Sequence, residues 1–175
     1  MPDYLTRARS MLSSRDIDVP TVYVDTGVAA ALGALRDPHV RRHDSHLILN
    51  VGSTHTLAMR TSGARIHAFY EHHTERLSGD QIEDLTVRLV SGALTNEEVV
   101  SRHGHGAWYV ERHPEGEPFV AVTGLRRGKL RGRRMASYVP VAYGDALMAG
   151  SVGLIDAFAA RYPDAGEEIE AAFAR

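Results

Sequence analysis

A run of glycine, serine and threonine between two apolar stretches is the first feature of this sequence that could do chemistry. It lies in ILNVGSTHTLAM, residues 48–59. The pattern predicts two strands joined by a tight turn at Gly52, Ser53 and Thr54. Such a turn directs backbone N–H groups and hydroxyls toward one point, and a phosphate can be held there without a basic side chain. The string fits either a phosphate-binding hairpin or an ordinary hairpin with a polar turn.

A second string, Glu71-His72-His73, closes a strand-like run and brings two imidazoles next to a carboxylate. Successive side chains of a strand point to opposite faces of a sheet, so Glu71 and His73 share one face and His72 takes the other. At most two of the three side chains therefore converge on one site.

A third string, His103-Gly104-His105-Gly106, supplies two more imidazoles on a loop whose glycines allow the backbone to approach a ligand closely. Ligands in open α/β sheets gather beyond strand ends, so we expect this loop to meet the Glu71 string in one cleft near Gly52. With His55 added, the groups could form a His/carboxylate metal site, although surface or hydrogen-bonded histidines are the alternative. The metal-dependent hydrolase that this would make has the candidate catalytic residues Glu71, His73, His103 and His105, with Glu71 moving protons and the metal activating water.

Six basic residues lie within residues 126–134 and could form a patch for nucleic acid or another anion. No aromatic residue interrupts them, and Arg is the usual cation throughout this chain, which has a single lysine, Lys129. A solvated loop is therefore the favoured interpretation, and nucleic acid is not an expected partner.

Composition sets the broad class of the protein. The chain has 175 residues, 43% hydrophobic and 24% charged, as expected for one globular unit. It has no cysteine, which excludes thiolate nucleophiles, Cys-based zinc sites and a Cys-ligated iron–sulfur cluster on this chain. No signal-like start or long apolar run is present, so we expect a cytoplasmic protein that does not enter the membrane.

The elements that would position these residues are predicted to form an α/β fold. Helices alternate with strands, and a mixed sheet opens with an antiparallel three-strand meander flanked by helices. The predicted strands are TVYV (21–24), the meander at 46–51, 55–61 and 65–72, and two later runs, AWYVER (107–112) and PFVAVTG (118–124), around a Pro/Gly turn. The predicted helices cover the first fourteen residues, 28–35, 78–90, 95–102, 143–161 and 164–175. We expect an N-terminal helix and connector in residues 1–20 and one domain in residues 21–175.

Several strings taken together resemble a known but uncharacterised group. DTGVAAALGAL, LILNVGSTHTLAM, FYEHHTE, RHGHGA and YGDALMAGSVGLIDAF look like a prokaryotic family whose members are labelled "putative pyruvate formate-lyase activating enzyme". A formate-lyase activase is a radical enzyme that needs three cysteines for its cluster. The absence of cysteine therefore excludes an iron–sulfur activase for this chain.

The same strings are similar to the second half of the actin-like ATPase superfamily, whose members include sugar kinases and chaperone ATPases. The resemblance implies a ribonuclease-H-like, actin-like half-domain in which a small-residue helix precedes a strand and a phosphate-binding hairpin. It also implies a weak ATP–Mg²⁺ site. The cofactor-binding residues implied are Asn50, Gly52, Ser53, Thr54, His55 and Thr56 on the hairpin, with Gly144 and Asp145 on the adenosine side.

Two departures from the superfamily pattern bear on function. Asn50 stands where the hairpin usually opens with an Asp that helps hold magnesium, and a neutral amide cannot replace that charge. The chain is also too short for both halves of such a protein, so a protein partner or a second copy would supply the missing half. The leading hypothesis is a domain that binds a small anionic, phosphate-bearing ligand at Gly52–Thr56, with independent catalysis not expected. The alternatives are the metal-dependent hydrolase and a non-catalytic interaction subunit.

Overall fold

A computed structural model describes residues 6–14, 19–63, 65–135, 137–141 and 146–173 of the chain. Its α-helices are α1 (Thr6–Ser13), α2 (Thr26–Leu35), α3 (Gly79–Val90), α4 (Asn96–Ser101), α5 (Ala149–Arg161) and α6 (Pro163–Phe173). Its strands are β1 (Ser45–Val51), β2 (His55–Ser62), β3 (Arg65–His73), β4 (Gly106–Tyr109) and β5 (Phe119–Thr123). Among the described residues, no helix has the length and apolar composition that a membrane span requires.

The strands form one mixed sheet in the order β4-β3-β2-β1-β5. The first three strands make the predicted antiparallel meander, and β5 adds to β1 in parallel. A parallel neighbour requires a crossover, and the helices α3 and α4 lie in that connection. The predicted α/β class with a meander at its start is therefore confirmed.

Helices cover both faces of the sheet because the strands bury side chains on both sides. On one face, Ile48 and Met59 pack with Ala31 of α2. On the other face, Leu49 and Tyr70 belong to the larger core, which includes residues of α3 and α4. This alternation decides which residues of each strand can reach a site on the α2 side.

Small residues allow α2 and α5 to pack with their backbones almost in contact. A Cβ built on Gly33 would overlap the carbonyl oxygen of Ala149, and one built on Gly153 would overlap the carbonyl oxygen of Ala29. The small residues of the two helices therefore allow a close approach that larger side chains would prevent. It fixes α2, and therefore the N-terminus of α2, against the rest of the fold.

One sequence prediction about a strand is wrong. Residues 21–24, TVYV, belong to no strand and are all at least partly exposed, because the segment pairs with no strand of the sheet. The two later strands are present as β4 and β5, and they lie at opposite edges of the sheet, where β4 pairs with β3 and β5 pairs with β1. The part of the predicted helix 143–161 that falls on residues 143–145 lies outside the described residues.

Candidate functional site

A cleft of about 220 Å³ lies where the β1–β2 turn faces the start of α2. It is at the carboxyl end of β1, beside the carboxyl end of its parallel neighbour β5, which is where α/β sheets usually place ligands. The residues that line it are Asp25, Thr26, Gly27, Asn50, Gly52, Ser53, Thr54, His55, Leu57 and Glu71.

The turn itself is narrow and leaves donors free. The Gly52 N–H donates to the His55 carbonyl at 3.0 Å, which closes the turn. Within the described chain, no acceptor is bonded to the N–H groups of Ser53 or Thr54, and both residues are exposed. Gly52 does not adopt a positive φ, but a Cβ there would lie 2.8 Å from the His55 carbonyl oxygen. Glycine is therefore needed for close approach rather than for a left-handed backbone.

The N-terminus of α2 forms the opposite wall of the cleft. Asp25 caps the helix, and its Oδ1 accepts hydrogen bonds from the N–H groups of Gly27 at 2.8 Å and Val28 at 3.4 Å. Gly27 packs onto β2, since a Cβ there would lie 3.0 Å from Leu57 Cδ2. This contact holds the capping carboxylate at the edge of the cleft.

One row of cross-strand neighbours forms the floor. Asn50 pairs with Leu57 across β1 and β2, and Leu57 pairs with Glu71 across β2 and β3. Because directly opposed residues point to the same face, the Asn50 amide and the Glu71 carboxylate open on the same side as Asp25. The cleft thus combines free N–H groups with two carboxylates and an amide oxygen.

Two residues from the predicted strings lie on the opposite face of the sheet. Thr56 is fully buried and its Oγ1 is 2.9 Å from Thr74 Oγ1, so the Thr56 side chain does not line the cleft as the resemblance implied. The reason is strand alternation, which turns Thr56 away from its neighbours His55 and Leu57. His72 is buried on that same far side, and burial lowers the pKa of its imidazole below the ordinary value.

Three imidazoles meet at the rim of the cleft. His55 and His73 are direct cross-strand partners, and His105 approaches both. Their ring centroids are 5.0, 4.8 and 4.6 Å apart, and one nitrogen from each ring lies within 4.8 Å of the other two. Partial burial, together with the imidazoles of His105 and His55, lowers the pKa of His73. Glu71 Oε1 is 3.9 Å from His55 Nδ1, too long for a direct hydrogen bond.

The loop before β4 fixes His105 in this position. The His105 N–H donates to the Glu71 carbonyl at 2.9 Å, which joins the loop to β3. On one side, a Cβ at Gly104 would lie 2.5 Å from His72 Cδ2. On the other side, Gly106 has a φ of 132°, and a Cβ there would overlap Asn96 Oδ1. The two glycines therefore let the loop pack tightly enough to present His105.

The remaining predicted site residues have other positions. His103 is exposed, has a left-handed backbone with φ 66°, and does not belong to the three-imidazole group. The left-handed turn at the end of α4 separates it from that group, although it is only two residues from His105. Gly144 and Asp145 lie outside the described residues.

The basic segment forms internal contacts. Lys129 Nζ donates to the carbonyls of Thr74 at 2.8 Å and Leu77 at 2.6 Å, and Arg127 donates to the Gly124 carbonyl at 3.0 Å. A solvated loop therefore describes the segment only in part. Its lysine holds the chain that follows β3.

A larger cavity of about 660 Å³ lies away from the histidines, with walls that include Leu47, Val90 and Arg60. Arg60 is buried and donates to three backbone carbonyls, those of Val90, Pro114 and Gly116, at 2.6–3.2 Å. Its guanidinium already binds three backbone carbonyls, so this cavity is the weaker candidate for a functional site despite its volume.

Sequence reasoning missed the contribution of the α2 N-terminus to the cleft. None of Asp25, Thr26, Gly27 and Leu57, which line the cleft, is among the site residues predicted from the sequence. The Asp-Thr-Gly string before a helical run is a capping signal that marks the start of α2. It does not show that this end of the helix would face the β1–β2 turn.

Comparisons with known proteins identify a family for this chain. No curated protein and no solved structure matches the chain. One family model, described as "Putative pyruvate format-lyase activating enzyme (DUF1786)", matches residues 1–129. Since that match covers well over half of the 175 residues, the chain belongs to this family, whose domain is one of unknown function.

Proposed function

We propose that the cleft between the β1–β2 turn and α2 binds an anionic, phosphate-bearing ligand. The observation that carries the proposal is the pair of unused N–H groups at Ser53 and Thr54, two residues that line a cleft at the carboxyl end of β1. Hydroxyls of the same two residues add further donors. Backbone N–H groups of this kind bind phosphate oxygens without requiring a basic side chain.

The carboxylates of Asp25 and Glu71 decide the form of that ligand. Two acidic side chains in a small cleft repel a bare anion, so the phosphate binds together with a cation such as Mg²⁺. Carboxylate and amide oxygens are the ligands that Mg²⁺ prefers, and Asn50 supplies the amide. The residues present therefore fit a phosphate–magnesium group, with Asp25 supplying a charge that Asn50 lacks.

The size of the cleft limits what enters it. Its volume of about 220 Å³ is below the roughly 300–1,000 Å³ of typical small-molecule sites, so it accommodates a phosphate group rather than a whole nucleotide. The order of a small-residue helix, a strand and a glycine-containing hairpin supports an actin-like half-domain over residues 21–175 as part of this proposal. A half-site leaves part of the phosphate exposed to water unless a partner or a second copy covers it.

Calorimetry with inorganic phosphate and with ATP, each with and without Mg²⁺, tests the proposal. We expect Mg²⁺-dependent binding with a Kd of about 1 mM, or roughly 4 kcal/mol, because one hairpin supplies only half of a phosphate site. A micromolar Kd for ATP would contradict the half-site. The absence of binding up to tens of millimolar would refute the function.

The variant Gly52→Val should abolish binding, because its side chain collides with the His55 carbonyl and displaces the turn. The matched control is Gly63→Asn at the other end of β2, where φ is 54° and no atom crowds the position. Asparagine tolerates that backbone, so binding should be unchanged. If Gly52→Val does not fold, Ser53→Ala with Thr54→Val removes two exposed hydroxyls and should weaken binding. Unchanged affinity in a folded Gly52→Val protein would remove the turn from the site.

A further inference from the structure

The strongest feature outside the proposed phosphate contacts is the group of His55, His73 and His105. Three imidazoles from three different segments converge without a cysteine or a bridging carboxylate among them. We propose that these three side chains form a tripodal site for a divalent transition metal, Zn²⁺ by preference, with a fourth position open to water or an anionic oxygen.

The spacing of the rings suits one ion. Nitrogens bound tetrahedrally at a Zn–N distance of about 2.1 Å are about 3.4 Å apart. The three candidate nitrogens lie within 4.8 Å of one another, so a pair has to close by no more than about 1.4 Å to bind one ion. Since the rings tilt against one another at 41°, 80° and 55° instead of stacking, their edges can turn toward a common centre.

The backbone already holds the ligands in place. His55 and His73 are fixed by their register in the sheet, and the His105 loop is bonded to the carbonyl of Glu71. Rigid elements position a metal site better than free loops do, so little ordering remains for the metal to impose.

The chemistry of the donors selects the kind of metal. Imidazole suits zinc, copper, iron and nickel, whereas magnesium and calcium prefer oxygen ligands. Three histidines with an open fourth position are the arrangement of a site that binds a further ligand, not of a closed structural site. His55 also lines the phosphate cleft, so the three-imidazole site adjoins that cleft.

The test is Zn²⁺ binding by untagged full-length protein, measured by equilibrium dialysis and by the visible absorption of four-coordinate Co²⁺. We expect one Zn²⁺ per chain with a Kd of about 1 μM or tighter. Each of His55→Ala, His73→Ala and His105→Ala should weaken binding by at least about 100-fold, beyond the roughly 10–100-fold lost with an outer hydrogen-bond partner. Less than stoichiometric zinc at saturating concentrations would overturn the site.

The matched control is His103→Asn, which removes an exposed imidazole two residues from His105 while keeping a residue that accepts the left-handed backbone. Zinc affinity should be unchanged in this variant. If His103→Asn loses zinc as His105→Ala does, the tripod is wrong. Because zinc binding is measured without phosphate, its failure is distinct from failure of the proposed function, and folded His105→Ala should still bind phosphate.

Discussion

At Asp37, four hydrogen-bond donors converge on one buried carboxylate. The N–H groups of His39 and Val141 donate at 2.8 and 2.9 Å, that of Val40 at 3.3 Å, and the Tyr138 hydroxyl at 3.2 Å. Burial alone would raise the pKa of Asp37, but these hydrogen bonds outweigh it and hold the pKa below its ordinary value. The residue ties the end of α2 to the segment that follows the basic stretch.

We expect Asp37→Asn to lower the free energy of unfolding at pH 7 by about 1–3 kcal/mol, because the amide leaves buried N–H donors without an acceptor. Since the folded pKa lies below the unfolded value of about 3.9, the contribution of the carboxylate is complete above about pH 4 and is lost as the pH falls through the folded pKa. Urea unfolding of the wild-type protein and of Asp37→Asn at pH 7, 5 and 3 should therefore show a difference in the free energy of unfolding that becomes smaller only at pH 3. Asp44→Asn, at an exposed position nearby, is the control. An equal difference in the free energy of unfolding at pH 3 and pH 7 would contradict the lowered pKa of Asp37.

At the scale of elements, the packing of α2 against α5 depends on two glycines rather than on large apolar side chains. A methyl group on Gly153 has no space, because the carbonyl of Ala29 occupies its position. Gly150, one turn earlier in α5, has open space, with no atom within 4 Å of where a Cβ would lie. The helix therefore contains a crowded and an open glycine on neighbouring turns.

This pair gives a matched test. Gly153→Ala should destabilise the protein by about 1–3 kcal/mol or more, because the helices must separate to admit the methyl group. Gly150→Ala should be neutral or stabilising by up to about 1 kcal/mol, since alanine is the better helix former. Thermal unfolding of both variants measures the contrast. Similar melting temperatures for the two variants would show that α5 does not pack as described.

The α2–α5 contact also affects the proposed phosphate-binding cleft. It holds α2 in the place where Asp25 and the Ser53–Thr54 turn form opposite walls of the cleft. If the phosphate proposal holds, we expect Gly153→Ala to weaken Mg²⁺–phosphate binding as well as stability. Zinc binding should change less, because His55, His73 and His105 are carried by the sheet and by the loop before β4.

On the scale of the whole molecule, stability is uneven. The sheet is covered on both faces, whereas the described part of α6 contains no buried residue. Besides its contact with α5, α6 is held by Arg36, whose guanidinium contacts Glu170 of α6 and Asp156 of α5 and lies 5.5 Å from the ring of Phe173. An element that buries so few side chains unfolds locally with a small free-energy cost.

We expect Glu170→Gln to increase amide hydrogen exchange in α6 while the exchange of β1, β2 and β3 stays unchanged. The expected change in global melting temperature is small, because exposed ion pairs contribute about 0–1 kcal/mol. Glu167→Gln, an exposed carboxylate on the same helix, should leave exchange at the wild-type rate. Faster exchange throughout the sheet would show that α6 is part of the cooperative core.

Local patterns in the sequence determined most of the elements. Two short apolar runs and a polar turn between them predict the β1–β2 hairpin, and Ser78 followed by Gln81 marks the start of α3, where the capping box is formed in the structure. These signals act over a few residues, so they can be read without the fold. The absence of cysteine likewise excludes a Cys-ligated cluster from the sequence alone.

Only the tertiary structure decided which of these residues meet. Strand register pairs His55 with His73 and turns Thr56 into the core, whereas the loop before β4 brings in His105 and leaves His103 outside. Pairing also left TVYV without a partner strand, although its β-branched composition is that of a strand. Composition and periodicity fix the local conformation of a segment. Contacts between residues that are distant in the sequence depend on strand register and on how the helices pack against the sheet. That packing, more than any motif, made a cleft and a three-histidine group from strings that are separate in the sequence.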